Sequence, residues 1–100
     1  EQSVGKQHPR LAVGLMGLGR IDLAEGRLAS ARTHFERALA ILEQTQGPEH
    51  PELVPNLCSL AEVALAEGDR RTAREYVERA LDIARKAGPE AIDLACPLAR

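Results

Sequence analysis

The sequence is poor in aromatic residues. Phe35 and Tyr76 are the only rings among its 100 residues, and tryptophan is absent. Proteins that bind nucleic acid use aromatic side chains to stack on bases and basic patches to hold phosphates. This chain lacks the rings and carries a formal net charge of -2. We therefore predict that nucleic acid is not its partner.

Long apolar runs and closely spaced cysteines are also missing. No stretch approaches the roughly 18 apolar residues that span a bilayer, and no signal-peptide pattern opens the chain. We expect no membrane partner and a cytoplasmic location. Cys58 and Cys96 stand far apart without a Cys-x-x-Cys pair. This spacing indicates reduced thiols rather than a disulfide framework or a zinc site.

The residue patterns of common catalytic sites are absent as well. The sequence shows no nucleophile paired with a base, no glycine-rich phosphate loop and no carboxylate pair with a reason to be desolvated. His8 and His50 recur beside Pro9 and Pro51, which favours a role in a structural joint, and His34 is predicted to lie on the surface. We predict no catalytic residue, no metal site and no cofactor, so the chain is not expected to be an enzyme.

What the sequence does contain is a repeat with a period of 42 residues. When residues 1–46 are laid over residues 43–88, 19 of the 46 positions are identical. A unit that cannot bury its own apolar face stacks on neighbouring units and forms an extended surface. The register predicts the following limits: 1–4, the tail of a preceding repeat helix; 5–46, repeat 1; 47–87, repeat 2; 88–100, a truncated third repeat or capping helix.

Each repeat divides into two predicted helices. Pro9 and Pro51 are placed at first helical positions, where a missing N–H is tolerated, and glycines such as Gly26 and Gly68 close the helices. Leucines at spacings of four and three form one apolar stripe on each first helix. The predicted helices run over 9–24, 28–45, 51–66 and 70–86, with a fifth starting near 90. The leucine stripes are Leu11, Leu15 and Leu18, then Leu53, Leu57 and Leu60.

The second helix of each repeat has an inner and an outer face. The inner faces comprise Leu28, Ala31, Phe35, Ala38, Leu39 and Leu42, then Ala73, Val77, Ala80, Leu81 and Ala84. Opposite charges four residues apart lie on the outer face and are expected to pair weakly along the helix. These pairs are Arg32 with Glu36, Arg74 with Glu78 and Glu75 with Arg79.

These residues resemble the tetratricopeptide repeat. Its signature appears as Leu15, Leu18, Gly19, Gly26, Ala31, Phe35 and Ala38, and again as Leu57, Leu60, Ala61, Gly68, Ala73, Val77 and Ala80. The period and the Gly-x-x-His-Pro joints are similar to the kinesin-light-chain-like subtype. The resemblance implies an all-α fold, a right-handed α-solenoid of antiparallel helix pairs. It also implies a noncatalytic scaffold module that binds a protein or peptide.

The resemblance further implies that the first helices line a concave groove. Carried over by position, the partner-binding residues are Val13, Met16, Gly17, Arg20, Leu23, Cys58, Ser59, Glu62 and Leu65, beside Ala24, Pro55 and Ala66. Arg20 and Glu62 share one repeat position, so they either contact a ligand or pair with each other. Cys58 is either a reactive thiol or a small packing residue.

Two further alternatives stay open. Gly14 and Gly17 lie inside a helix, where glycine is costly. Either a partner or the preceding repeat packs closely over them, or the helix is locally weak. In addition, both ends of a repeat array expose stacking faces. The alternative to peptide binding is therefore self-association, as a homo-oligomer formed by end-to-end stacking or helix exchange.

Overall fold

The computed structural model describes residues 9–87, which form four α-helices. The helices are α1 (Pro9–Ala24), α2 (Leu28–Gln46), α3 (Leu53–Ala66) and α4 (Arg70–Ala87). The predicted all-α helical-repeat fold is confirmed, and this part of the chain contains no strand. The handedness of the solenoid and the repeat limits stay predictions. The predicted tail at 1–4 and third repeat at 88–100 lie outside the described residues, as do His8 and Cys96.

Glycine closes the first helix of each repeat in the same way. Gly26 has a φ of 81° and Gly68 a φ of 83°, in the left-handed region that a glycine adopts without steric cost. One residue later, the N–H of Arg27 donates to the carbonyl of Asp22, and the N–H of Asp69 donates to that of Ala64, both at 2.8 Å. The 42-residue repeat therefore extends to the backbone hydrogen bonds of the turn.

The start of α3 differs from the prediction. Pro51 does not open the helix, because α3 begins at Leu53. Residues 50–52 instead form a turn in which the N–H of Leu53 donates to the carbonyl of His50 at 3.0 Å. The Nδ1 atom of His50 accepts a hydrogen bond from the N–H of Glu52 at 3.1 Å. This contact supports the structural role predicted for His50 at the joint between repeats.

Three clusters of buried side chains hold the helices together. One consists of Ala61, Ala64 and Ala73 and joins α3 to α4, and the other two have more residues. Of these two, the larger joins all four helices and the smaller joins α2 to α3. In the smaller cluster the fully buried Phe35 ring fills the space over Gly19, where an added Cβ atom would lie 2.8 Å from the ring. The larger cluster comprises Ala12, Leu15, Ala38, Ile41, Leu42, Leu53, Val54, Leu57, Cys58, Ala80, Ile83 and Ala84, and the smaller Ala31, Phe35, Leu60 and Val63.

The leucine stripe of α1 is only partly buried. Leu15 belongs to the core, but Leu18 is 50% exposed, so its placement in the core was wrong. The reason lies in the repeat. Leu60, the equivalent of Leu18, packs against α2 of the preceding repeat, whereas no described helix precedes α1.

Ion pairs between the repeats replace the predicted pairs along each helix. Arg32 binds Glu67 at 2.9 Å and Arg79 binds Glu43 at 2.6 Å, so neither arginine pairs with the glutamate four residues away. Arg74 likewise forms no ion pair with Glu78.

The segment that links α2 to α3 is also tied to α4. Arg79 donates a further hydrogen bond to the carbonyl of Pro48 at 3.1 Å. Lys86 binds Glu49 at 2.7 Å, and this contact raises the pKa of the lysine. Each of these bonds joins residues more than 30 positions apart. The second helix of repeat 2, α4, therefore stabilises the linker between the repeats.

Candidate partner-binding cleft

A small apolar cleft lies between the first helices of the two repeats. Its volume is about 210 Å³. Ligand pockets for drug-sized molecules usually measure about 300–1,000 Å³, so this cleft fits a single large side chain rather than a whole ligand. It is lined by Ala12, Val13, Met16, Leu42, Glu52 and Pro55.

The predicted groove residues divide by exposure. Val13, which is 69% exposed, and the half-buried Met16 line the cleft together with Pro55. The next turns of α1 and α3 expose Gly17, Arg20 and Glu62, while Leu23 packs against the smaller core cluster. Leu65 lines a separate depression beside α4.

Cys58 and Ser59 are buried and do not line the cleft. Cys58 is 8% exposed and Ser59 3%, so they offer a partner little contact area. Cys58 is disulfide-bonded, which contradicts both the reduced thiol and the reactive thiol considered for it. The sequence argument for a reducing compartment is removed with them.

Two positions where the first helices of the repeats differ behave unlike one another. Arg20 and Glu62 are exposed and form no ion pair with each other, so the structural pairing is not observed. Asn56 is fully buried, and its amide donates to the carbonyl of Phe35 at 2.9 Å. Asn56 is therefore a packing residue, whereas its equivalent Gly14 is exposed with nothing within 4 Å of an added Cβ.

A buried polar cluster at the end of α1 was missed in the sequence. The side chain of Asp22 is 9% exposed and accepts three hydrogen bonds. Its Oδ2 atom accepts from the Ser30 hydroxyl at 2.7 Å and from Nδ1 of His34 at 2.8 Å, and its Oδ1 atom accepts from Nε of Arg27 at 3.1 Å. The prediction that His34 lies on the surface was wrong, because its half-buried ring contacts this carboxylate.

The geometry of this cluster is structural rather than catalytic. Ser30 and His34 both donate to the same carboxylate oxygen, so the imidazole does not stand between the hydroxyl and the acid, as general-base activation of a serine would need. The hydrogen bond from Ser30 lowers the pKa of Asp22 and outweighs burial, which raises it; His34 and Arg27 lower it further. An ionised carboxylate at this position of α1 accepts hydrogen bonds from two side chains of α2 and from one in the turn between the helices.

A signal for the cluster was present in the repeat register. Asp22, Ser30 and His34 occupy the positions of Ala64, Thr72 and Tyr76 in repeat 2. The spacing of Ser30 and His34 places them on one face of α2, one turn apart. A carboxylate that replaces alanine opposite two donors is the pattern that would have revealed the contact.

Metal and membrane sites receive no support from residues 9–87. This part of the chain brings together no group of three or more histidine, cysteine, aspartate or glutamate side chains that could hold a metal ion. None of its four helices is both long enough and apolar enough to cross a bilayer.

Comparison with known families identifies the fold. The sequence model of the tetratricopeptide repeat matches residues 10–86. The chain belongs to the tetratricopeptide repeat family. Tetratricopeptide repeats are generally modules for protein interaction, usually bind proteins or peptides and are typically noncatalytic. No match to a curated protein was found.

Proposed function

We propose that this pair of tetratricopeptide repeats binds a peptide or a helix of a partner protein across α1 and α3. The observation that carries the proposal is the apolar cleft between Val13, Met16 and Pro55. Its volume suits one leucine, methionine or phenylalanine side chain. Interfaces commonly concentrate their binding energy in such anchors, which enter a pocket and exclude water.

The surroundings of the cleft support an extended partner rather than a small molecule. Met16 has a flexible thioether side chain that adapts to differently shaped anchors. Arg20 and Glu62 are exposed one turn further along the same two helices, and each is available to a partner of opposite charge. A ligand that spans both repeats would therefore combine one apolar anchor with polar contacts at the rim.

The proposal also includes the repeat subtype, the scaffold role and the location in the cell. The 42-residue period supports the kinesin-light-chain-like subtype. A scaffold role without catalysis agrees with the geometry of the Asp22 cluster, in which no nucleophile is activated. A cytoplasmic location remains an expectation from the sequence.

The test is selection from a random peptide library displayed on phage, followed by affinity measurement with the selected peptides. Val13→Glu places a charge in the mouth of the cleft, and we expect it to weaken binding at least about tenfold. Ala40→Glu adds the same charge on an exposed position of α2 and serves as the matched control. Selected peptides that bind both variants equally would contradict the proposed site.

A second candidate function is self-association. The specific observation is that Leu18 is 50% exposed and Ile21 is 53% exposed. Their equivalents in repeat 2, Leu60 and Val63, pack against α2. Leu18 and Ile21 therefore favour packing of α1 against a further helix pair, which a second copy could supply.

A further inference from the structure

The charge of the exposed surface reverses between the two first helices. At one position of the repeat, α1 exposes Arg20 and α3 exposes Glu62. At a second position, α1 exposes Arg10 and the residue before α3 is the exposed Glu52. The members of each pair stand 42 positions apart. Equivalent positions are therefore basic in repeat 1 and acidic in repeat 2.

The apolar cleft lies between these opposite charges. Glu52 lines the cleft together with Val13, Met16 and Pro55. Val13, Met16 and Arg20 are spaced by three and four residues, which places them on one face of α1. An apolar side chain that enters the cleft is therefore beside a carboxylate on the α3 side. On the α1 side it lies one helical turn from a guanidinium group.

Glu52 has no role inside the described part of the chain that accounts for its carboxylate. It stands at the N-terminus of α3, where side chains often cap a helix, but it forms no capping hydrogen bond. Its backbone N–H donates to Nδ1 of His50. Among residues 9–87 its side chain forms no ion pair. The carboxylate in the lining of the cleft is therefore available to a cation from outside.

Arg20 and Glu62 are available in the same way. They are exposed, and within the described helices neither forms an ion pair with the other or with a third residue. Arg20 is thus a donor for an anion on the α1 side. Glu62 adds a second negative charge on the α3 side, seven residues after Pro55.

We infer that the occupant of the cleft is a peptide segment whose apolar anchor stands between an acidic and a basic residue. This inference rests on the proposed function, the binding of a peptide across α1 and α3. The basic residue lies over α3 against Glu52, and the acidic residue lies over α1 against Arg20. The protein thereby selects both the charges that flank the anchor and their order.

The geometry of an extended peptide sets the spacing of these residues. Side chains two positions apart in an extended chain point to the same side and lie about 6–7 Å apart. Arg20 stands four residues after Met16, which is a comparable distance of about 6 Å along the helix. The favoured pattern is therefore an acid two residues to one side of the anchor and a base two residues to the other.

The carboxylate of Glu52 also disfavours the other occupants. A wholly apolar segment would cover this carboxylate without pairing it, and the loss of hydration opposes binding. A segment with an acid at that place would be repelled. Specific interfaces commonly combine such unfavourable contacts with favourable ones. Glu52 is therefore expected to determine specificity, whereas Val13 and Met16 provide the apolar contact.

The experiment begins with peptides selected from a random library displayed on phage. Sequences aligned on the apolar anchor should be enriched in lysine or arginine on one side and in aspartate or glutamate on the other. Glu52→Lys should weaken binding of a selected peptide about tenfold. A peptide whose basic residue is replaced by glutamate should recover that loss.

The exchange is repeated on the α1 side. Arg20→Glu should weaken the selected peptide to a similar extent, and replacement of its acidic residue by lysine should restore the affinity. Glu36→Lys and Arg37→Glu make the same changes of charge at exposed positions of α2, so they serve as matched controls and should bind like the parent.

Stability is controlled separately. An acid at the N-terminus of α3 also interacts favourably with the helix dipole, so each variant is checked by a thermal melt. Glu52→Gln removes the charge without adding a repulsive one and should weaken binding about threefold. This variant provides the measurement if Glu52→Lys does not fold.

The outcomes separate this inference from the proposed function. Failure to select any peptide, or selected peptides that bind Val13→Glu as well as the parent, would overturn both. If Val13→Glu abolishes binding but the peptides show no preference for flanking charges, the proposed function stands and the charge order is wrong. Failure of the exchanged peptides to recover affinity for Glu52→Lys and Arg20→Glu would also refute the charge order.

Discussion

The two repeats have the same turn and different interiors. Both first helices end at a glycine in the left-handed region, followed by matching backbone hydrogen bonds. Near the end of the first helix, repeat 1 places Asp22, which accepts three hydrogen bonds, whereas repeat 2 places the buried Ala64 at that position. The backbone of the repeat is therefore compatible with either a polar or an apolar contact between its helices.

A second difference concerns size. Repeat 1 combines Gly19 with the Phe35 ring, and repeat 2 combines Ala61 with Val77 at the same positions. In repeat 1 Gly19 faces the Phe35 ring, and in repeat 2 Val77 packs against the cluster that contains Ala61. We expect substitutions at these two positions to be tolerated as a matched pair and to destabilise the fold when made singly.

The largest expected effect comes from replacing Gly19 and Phe35 by the residues found at the same positions of repeat 2. Phe35→Val, which copies Val77, should leave a cavity and lower the free energy of unfolding by about 2–3 kcal/mol. Gly19→Ala alone should also destabilise the fold, by about 1 kcal/mol after its gain in helix propensity, because the added Cβ would clash with a buried ring. Urea denaturation of both variants provides the measurement.

The double variant Gly19→Ala/Phe35→Val sharpens the comparison. We expect it to be more stable than the sum of the two single effects predicts, by about 1–2 kcal/mol, because the new methyl group fills part of the cavity. Strict additivity would show that the two positions do not share one packing volume.

The next effect concerns the polar cluster. Asp22→Ala copies repeat 2 at one position only and leaves Ser30 and His34 without their acceptor. We expect the melting temperature to fall by about 5 °C or more. The set Asp22→Ala/Ser30→Thr/His34→Tyr copies repeat 2 at all three positions and should recover much of the loss in a thermal melt followed by circular dichroism. A triple variant less stable than Asp22→Ala would show that the three residues of repeat 2 cannot replace those of repeat 1.

Acid should affect the two repeats through different carboxylates. Hydrogen bonds lower the pKa of Asp22, chiefly from Ser30, and that of Asp69, chiefly from Thr72. The folded-state pKa then lies below the unfolded value of about 3.9. The stabilisation is present above that value and is lost as the pH falls through the folded pKa.

Denaturation curves between about pH 7 and pH 2 test this sign. Asp22→Asn and Asp69→Asn should each be less stable than the parent at neutral pH and lose less stability on acidification. Parallel curves for the parent and both variants would show that neither carboxylate is linked to folding.

The smallest effect concerns two equivalent arginines. Arg32 pairs with Glu67 across the repeats, whereas Arg74 has no ion-pair partner within the described residues. Arg32→Gln should cost less than about 1 kcal/mol, because the pair is partly exposed and screened by solvent. Arg74→Gln should leave the stability of dilute protein unchanged. A larger loss for Arg74→Gln, measured by the same denaturation method, would reverse this assignment.

The repeat register predicted much of the fold. Leucine spacing and closing glycines placed α1 and α2 to within one residue at each end, because local periodicity and turn chemistry determine these features. It failed at Pro51, where the turn after His50 delays α3 by two residues. It also failed at Leu18, because burial of that side chain depends on a neighbouring helix and not on α1 itself.

The candidate site was harder to predict. Position in the repeat identified Val13, Met16 and Pro55 beside the cleft, but it did not predict that Cys58 and Ser59 are buried. Exposed and buried positions lie within one turn of each other on a helix, so repeat position alone does not separate them. The Asp22 cluster depends on side chains from two helices meeting across a turn. A search for known catalytic or binding patterns passes over such contacts, although a comparison of the two repeats reveals them.

The ties between the linker and α4 have a mechanical consequence. Arg79 binds Glu43 and the Pro48 carbonyl, and Lys86 binds Glu49. These bonds connect α4 to α2 and to the linker, so they limit the tilt of one repeat on the next. These contacts are largely exposed, and salt screens exposed charges. We therefore expect a longer array built from this unit to behave as a spring whose stiffness falls as ionic strength rises.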